Sequence, residues 1–192
     1  MISKSVLIFC GSARLSFTRA LCTRIGDELI SLGVSVETVD PRVSLLPFAE
    51  TRSKKASGEP VDVEVERLSR AAHQASAFVF ATPIYHNGPS GILKNMLDLL
   101  QATHFMHKPV GLVSHGGNRT TQAVEQMRIW ARGMGAHAII TQICTAPDDY
   151  DQAADNPNIA NPAMVSRIVR FARELLLLTD AMGSVHEKLR LL

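Results

Sequence analysis

Ala77-Phe78-Val79-Phe80-Ala81-Thr82-Pro83-Ile84-Tyr85-His86-Asn87-Gly88-Pro89-Ser90-Gly91-Ile92-Leu93-Lys94-Asn95 is the stretch that decides the architecture. Its first five residues form an apolar run that reads as a buried strand. Ile92, Leu93, Met96, Leu97 and Leu100 recur at helical spacing and give one apolar face. A loop from Pro83 to Ser90 joins the two, stiffened by prolines that fix φ. Such a loop lies at the carboxyl end of a strand, where open α/β sheets bind ligands. It offers fixed N–H and C=O groups to something flat and polar-edged.

The same alternation runs outward in both directions. Upstream, Ser5 to Cys10 is an almost continuous apolar run, suited to a central parallel strand. Phe17, Leu21, Ile25 and Leu29 predict a helix that Gly33 closes, and Val34, Val36 and Val39 predict a second strand. Residues 41 to 60 read as a long surface connection before a helix marked by Leu68, Ala71, Ala72 and Ala75. Downstream, Pro109 to Val113 and Ala138 to Ile143 are the fourth and fifth strands, separated by a helix bearing Ala123, Met127, Trp130 and Met134. Residues 145 to 162 read as a loop, and Met164, Ile168, Phe171, Leu175 and Leu178 as a last long helix. Five strands alternating with helices imply a parallel sheet covered on both faces. The expected fold is a flavodoxin-like three-layer sandwich of strand order 2-1-3-4-5, one domain over residues 1–192.

Composition narrows the function classes. The 192 residues are 46% apolar and 20% charged, ordinary for a globular protein. A net charge of +2 gives no reason to expect nucleic acid or a membrane surface as partner. No apolar run reaches the roughly 18 residues of a membrane span. Met1-Ile2-Ser3-Lys4 enters a strand at once, without a signal-peptide core. Cys10, Cys22 and Cys144 lack zinc or CxxC spacing and read as reduced thiols, so a cytoplasmic location is expected. His104 and His107 lie three apart with no third ligand nearby, and no metal is expected.

In the expected topology, the loops after strands one, three and four open on one rim. The first, Gly11 to Thr18, leads into a helix N-terminus, where free N–H groups and the dipole favour an anion. Ser12, Ser16 and Thr18 add hydroxyls and Arg14 a charged fork, a set that suits a terminal phosphate. The plain alternative is that Ser16 or Thr18 caps the helix and Arg14 is a solvated charge. The loop is neither GxGxxG nor GxxxxGK[ST], which argues against a dinucleotide Rossmann site and triphosphate hydrolysis.

Gly-Ser-x-Arg from Gly11, Thr-Pro-x-Tyr-His-x-Gly-x-Ser-Gly-x-Leu-Lys-Asn-x-Leu-Asp from Thr82, and Ser-His-Gly-Gly from Ser114 together resemble the NADPH-dependent FMN reductase family. That family includes azo-dye, quinone and chromate reductases. The resemblance spans roughly residues 5 to 145; the helix Met127 to Gly133 is similar to its azoreductase branch. It implies FMN in the crevice and NADPH or NADH as electron donor. Ser12, Arg14, Ser16 and Thr18 would hold the phosphate. Pro83, Ile84, Tyr85, His86, Asn87 and Gly88 would line the flavin ring, and Ser114, His115, Gly116 and Gly117 would approach its pyrimidine side. Many members place two residues between the arginine and the next hydroxyl; here Leu15 alone intervenes, so Ser16 and Thr18 would exchange or share roles.

The implied reaction is a ping-pong transfer from NAD(P)H through FMN to a small-molecule acceptor: free flavin, a quinone, an azo compound or chromate. No residue is essential as acid or base; His86 is the candidate proton donor, beside the reading that His86 and His115 give only contacts. Tyr85 either stacks at the flavin site or packs locally. Lys94 and Asp98 pair within their helix or across a subunit boundary, since the resemblance implies a homodimer or homotetramer. The competing reading is a flavodoxin-type electron carrier without NAD(P)H turnover; Arg14 and the basic balance argue against it. Ser114 to Gly117 is similar to an esterase oxyanion loop, but no GxSxG elbow follows.

Overall fold

The computed structural model describes residues 4–44, 46–49, 62–151 and 157–189. Strand β1 (Ser5–Cys10) is followed by α1 (Phe17–Ser31), β2 (Ser35–Val39), α2 (Val63–Gln74) and β3 (Ala77–Tyr85). Then come β4 (Gly88–Pro89), α3 (Gly91–Asp98), β5 (Pro109–His115), α4 (Gln122–Gly133), β6 (His137–Ala138) and β7 (Ile143–Thr145). The chain continues through β8 (Tyr150–Asp151) and β9 (Asn158–Ile159) into α5 (Pro162–Leu189). The main sheet runs β2-β1-β3-β5-β6, with β7 also parallel to β5. This is the expected 2-1-3-4-5 order, its fifth strand supplied in two pieces.

Alternation along each strand builds two cores. Val6, Ile8, Val79 and Ala81 face α1 and α5, joining Leu21, Ile25, Ile168 and Phe171. Leu7, Phe9, Phe78 and Phe80 point the other way, toward Leu68, Leu93, Met127 and Phe105. The rings of Phe9, Phe78, Phe80 and Phe105 meet at 4.8–6.4 Å. Each fully buried phenylalanine contributes about 1.5–3 kcal/mol over exposure. Gly111 lets α5 lie close: a Cβ there would sit 2.1 Å from the Phe171 ring.

Three elements differ from expectation. β3 does not end at Ala81, because parallel pairing with β5 continues through Thr82–Ser114 and Pro83–His115. The fifth strand breaks between Ala138 and Ile143, where the Ile140 and Thr141 N–H groups donate to Glu174 Oε1 on α5 at 2.9 and 3.2 Å instead of to a sheet neighbour. The expected loop after residue 145 contains a short helical turn and the antiparallel pair β8–β9. Gly33 closes α1 as predicted, with φ +82° and its N–H on the Ile30 carbonyl. Most of the connection from 41 to 60 lies outside the described residues; Asn95 on α3 holds Pro47 and Ala49 by two hydrogen bonds of 3.0 and 2.7 Å.

Candidate functional site

The register sets the three loops at one level: Cys10 is beside Ala81, and Ala81 beside Val113. The first loop is tied to the second at its base. Gly11 donates its N–H to the Ala81 carbonyl at 2.8 Å and accepts the Ser90 hydroxyl at 2.7 Å. Ser90 also caps α3, its Oγ accepting from the Leu93 N–H. A Cβ at Gly11 would come within 2.8 Å of the Ala81 oxygen, so only glycine fits this junction.

Beyond Gly11 the hydroxyls divide their work. Ser16 is the N-cap of α1, accepting from the Arg19 N–H at 3.4 Å and donating to Ser12 Oγ at 2.9 Å. Thr18, in the first turn, is fully buried, and its Oγ1 has no hydrogen-bond partner among the described residues. A buried polar atom left unpaired costs about 1–3 kcal/mol, and its place at a helix N-terminus suits an anionic ligand. Arg14 is exposed and reaches across the rim, Nη2 donating to the Tyr85 hydroxyl at 2.9 Å.

The second loop is a hairpin. Tyr85 pairs with Gly88 and Ile84 with Pro89, leaving His86 and Asn87 as a two-residue turn with φ of 48° and 64°. Both values lie in the left-handed region that a type I′ turn requires. Pro83 is buried, Ile84 half-buried, and Tyr85, His86 and Asn87 are exposed. Gln126 on α4 holds the tip, its Nε2 donating to the Asn87 carbonyl at 3.1 Å. At Gly88 a Cβ would meet the flexible Gln126 amide at 3.2 Å and the Tyr85 carbonyl at 3.7 Å.

Ser114 and His115 end β5 rather than starting a loop. Ser114 is fully buried, its Oγ without a hydrogen-bond partner among the described residues. Gly116 packs on Ile84, which a Cβ would approach to 2.8 Å, whereas Gly117 is exposed with open space around it. His115 packs against Phe17 and Tyr150, with ring centroids 4.7 and 5.4 Å away. Its Nδ1 lies 3.1 Å from Thr145 Oγ1, which is 2.9 Å from the Tyr150 hydroxyl; that hydroxyl donates to the Phe17 carbonyl at 3.1 Å. Counting protons fixes the direction. Phe17 O and Ser114 O can only accept, so Tyr150 donates to the first and Thr145 Oγ1 to the second at 3.3 Å; with the Thr145 proton committed there, His115 Nδ1–H donates to Thr145. The neutral ring therefore keeps a lone pair on Nε2.

Burial pushes the His115 pKa down to about 4, against an opposing pull from Asp149. The unfolded chain binds this proton near pH 6.5 and the folded one only near 4, so stability present above pH 6.5 is lost as pH falls through that window. The loss is at most about 3 kcal/mol. Chemical denaturation from pH 7 to 4 should show this decline, and His115→Gln should flatten it. An identical slope in the variant would move the effect to other groups.

Sequence reading missed the group that braces this wall. Asp149 is fully buried and accepts from Arg119 Nε and Nη2 at 3.0 and 2.8 Å, the Ala146 N–H at 2.9 Å and Asn161 Nδ2 at 2.7 Å. Burial alone would raise its carboxyl pKa; Arg119, Ala146 and Asn161 outweigh that and hold it below the usual range. The only local signal was the proline-led turn Ala146-Pro147-Asp148-Asp149.

A doubly wound parallel sheet with three rim loops at its switch point and a hydroxyl-rich helix start defines a flavodoxin-like protein. The chain belongs to the NADPH-dependent FMN reductase family, which its sequence matches over residues 5–149. It is thus an NAD(P)H-dependent oxidoreductase that uses FMN. It is 30% identical over 157 residues to an FMN-dependent NADPH-azoreductase of Staphylococcus aureus, covering 81% of this chain and 84% of that one. In fold it is similar to a flavoenzyme NAD(P)H:(acceptor) oxidoreductase from Paracoccus denitrificans, with TM-score 0.72, 18% identity and coverage of 94% and 98%. An oxidoreductase from Corynebacterium diphtheriae gives TM-score 0.69 at 17% identity, covering 94% of this chain and 99% of that one. No described helix is long and apolar enough to cross a membrane.

Proposed function

We propose that this enzyme reduces azo or quinone acceptors with NAD(P)H in a ping-pong sequence, on FMN held at the rim of β1, β3 and β5. The observation that carries the placement is the buried, unpartnered Thr18 hydroxyl at the N-terminus of α1. A phosphate there would satisfy it and gain from the helix dipole. Ser12 and Ser16 hydroxyls and the Arg14 guanidinium complete the phosphate set. Pro83 to Gly88 would line one edge of the ring, and Ser114 to Gly117 the pyrimidine side, where Ser114 Oγ is also unpartnered. The residues present therefore fit the cofactor.

When bound, FMN supplies the redox chemistry, accepting a hydride from NAD(P)H and passing two electrons to the acceptor. The chain positions. The Gly11 and Ser90 junction fixes the distance between the phosphate loop and the hairpin, and reacting atoms must be held at about 3–3.5 Å. The Gly117 N–H would stabilise negative charge on the pyrimidine side, while the Gly116 N–H holds the Thr145 carbonyl at 3.1 Å. His115 is neutral at pH 7 and committed to Thr145, so it holds rather than donates. His86, exposed at the hairpin tip, is the side chain free to bring a proton to an acceptor. The azoreductase similarity supports azo compounds as acceptors. A cytoplasmic location agrees with the three free thiols, and a homodimer or homotetramer remains the expected assembly.

The test is NADPH oxidation by pure protein with added FMN, then with an azo dye or a quinone. FMN-dependent turnover that either acceptor accelerates, with parallel lines in double-reciprocal plots, is the expected result. Flavin that stays oxidised under excess NADPH and NADH overturns the proposal.

A further inference from the structure

Cys10 and Cys22 are not part of the reaction described above, yet they are not isolated. Cys10 ends β1, one residue before the Gly11 junction, and Cys22 lies on α1, whose first turn carries Thr18. Both are buried in the same core, and the Cys10 thiol donates to the Ser12 carbonyl of the phosphate loop at 4.0 Å. Both line a cavity of about 480 Å³ at the carboxyl ends of β1 and β2, bordered also by Arg19, Thr38, Asp40, Ser44 and, on α2, Arg67. Arg19 and Asp40 form an ion pair at its wall. The cavity has a mixed polar and apolar lining and is large enough for a small hydroperoxide. Cys144 lies apart, half-buried on β7 and packed against the opposite core.

We propose that Cys10 and Cys22 form a peroxide-sensitive dithiol that closes to a disulfide and loosens the phosphate loop. The neighbouring Cys22 side chain, aided by Arg19, lowers the Cys10 thiol pKa to about 7, while Cys10 itself and burial raise that of Cys22. Cys10 is the attacking thiolate and Cys22 the resolving thiol. The Cys10 sulfur attacks the peroxide; an S–O bond forms, the O–O bond breaks, and the leaving hydroxide or alkoxide takes a proton from water. Cys22 then attacks the Cys10 sulfur. The S–S bond forms, the S–O bond breaks, and water leaves with the Cys22 proton. Two thiols lose two electrons and two protons, and the hydroperoxide gains both. The bond would draw the end of β1 against α1, displacing Gly11 and Ser12 relative to Thr18. That last consequence rests on the flavin-site reading; the thiol chemistry does not.

The experiment uses the reduced full chain without NAD(P)H. After treatment with hydrogen peroxide it is denatured and its thiols counted, and non-reduced peptides are mapped. Loss of two of the three thiols, a Cys10–Cys22 linked peptide, and recovery with dithiothreitol are expected. Cys22→Ser should instead trap a sulfenic acid on Cys10 that dimedone labels. Three intact thiols in the wild-type chain, or a linkage through Cys144, overturn the proposal. FMN affinity, measured on both redox forms, should fall severalfold on oxidation; equal affinity removes the coupling. A reduced protein that binds no FMN overturns the flavin site and leaves the disulfide result standing.

Discussion

Arg14→Ala is expected to weaken FMN binding by about 1.5–3 kcal/mol, the scale of a charge-assisted hydrogen bond, or roughly tenfold to a hundredfold in Kd. Arg14 is exposed and its bond to Tyr85 joins two rim loops rather than supporting the core. The variant should therefore melt with the wild type, which separates lost affinity from lost folding. Riboflavin, lacking the phosphate, should bind both proteins alike. Titration by flavin fluorescence measures all of this; an unchanged FMN affinity in a folded variant removes Arg14 from the phosphate site.

Asp149→Ala should have the largest effect on stability among the site's polar residues, about 2–4 kcal/mol. The carboxylate is fully buried, and its removal strands the Ala146 N–H and the Asn161 amide. At this chain length that corresponds to a fall in Tm of about 4–16 °C. The damage should extend to the site, because the turn it fastens delivers Tyr150 to Phe17 and Thr145 to His115. Thermal melts with and without FMN measure both effects. A variant that melts like the wild type would show that Arg119 and Asn161 find other partners.

The legible parts of the fold were those where burial imposes a local pattern. β1 and the start of β3 are covered on both faces, so they read as continuous apolar runs. Phe17, Leu21, Ile25 and Leu29 announce α1 because one helix face meets the sheet. Thr82 to Tyr85 was hidden because proline and polar residues suggest a loop, yet the neighbouring strand β5 extends beside them. The split between β6 and β7 depends on Glu174, more than thirty residues away on α5. The rim loops could be read because strand order alone brings them together. Tyr150 could not, since it meets the Phe17 carbonyl across 133 positions of sequence. Asp149 likewise sits in a polar stretch whose partners only the folded chain assembles.

The hairpin tip has a consequence for how this protein balances durability against use. His86 and Asn87 both hold positive φ, and neither is glycine. Asparagine tolerates that region; histidine does so at a cost, and such strained backbone is worth about 1–3 kcal/mol. His86→Gly should therefore raise thermal stability, as melting in matched buffers would register, while slowing any acceptor that needs a proton at the tip. An engineer selecting only for heat resistance would be drawn to this position and would strip the imidazole from the rim. The turn is thus a point where robustness and turnover pull the sequence in opposite directions.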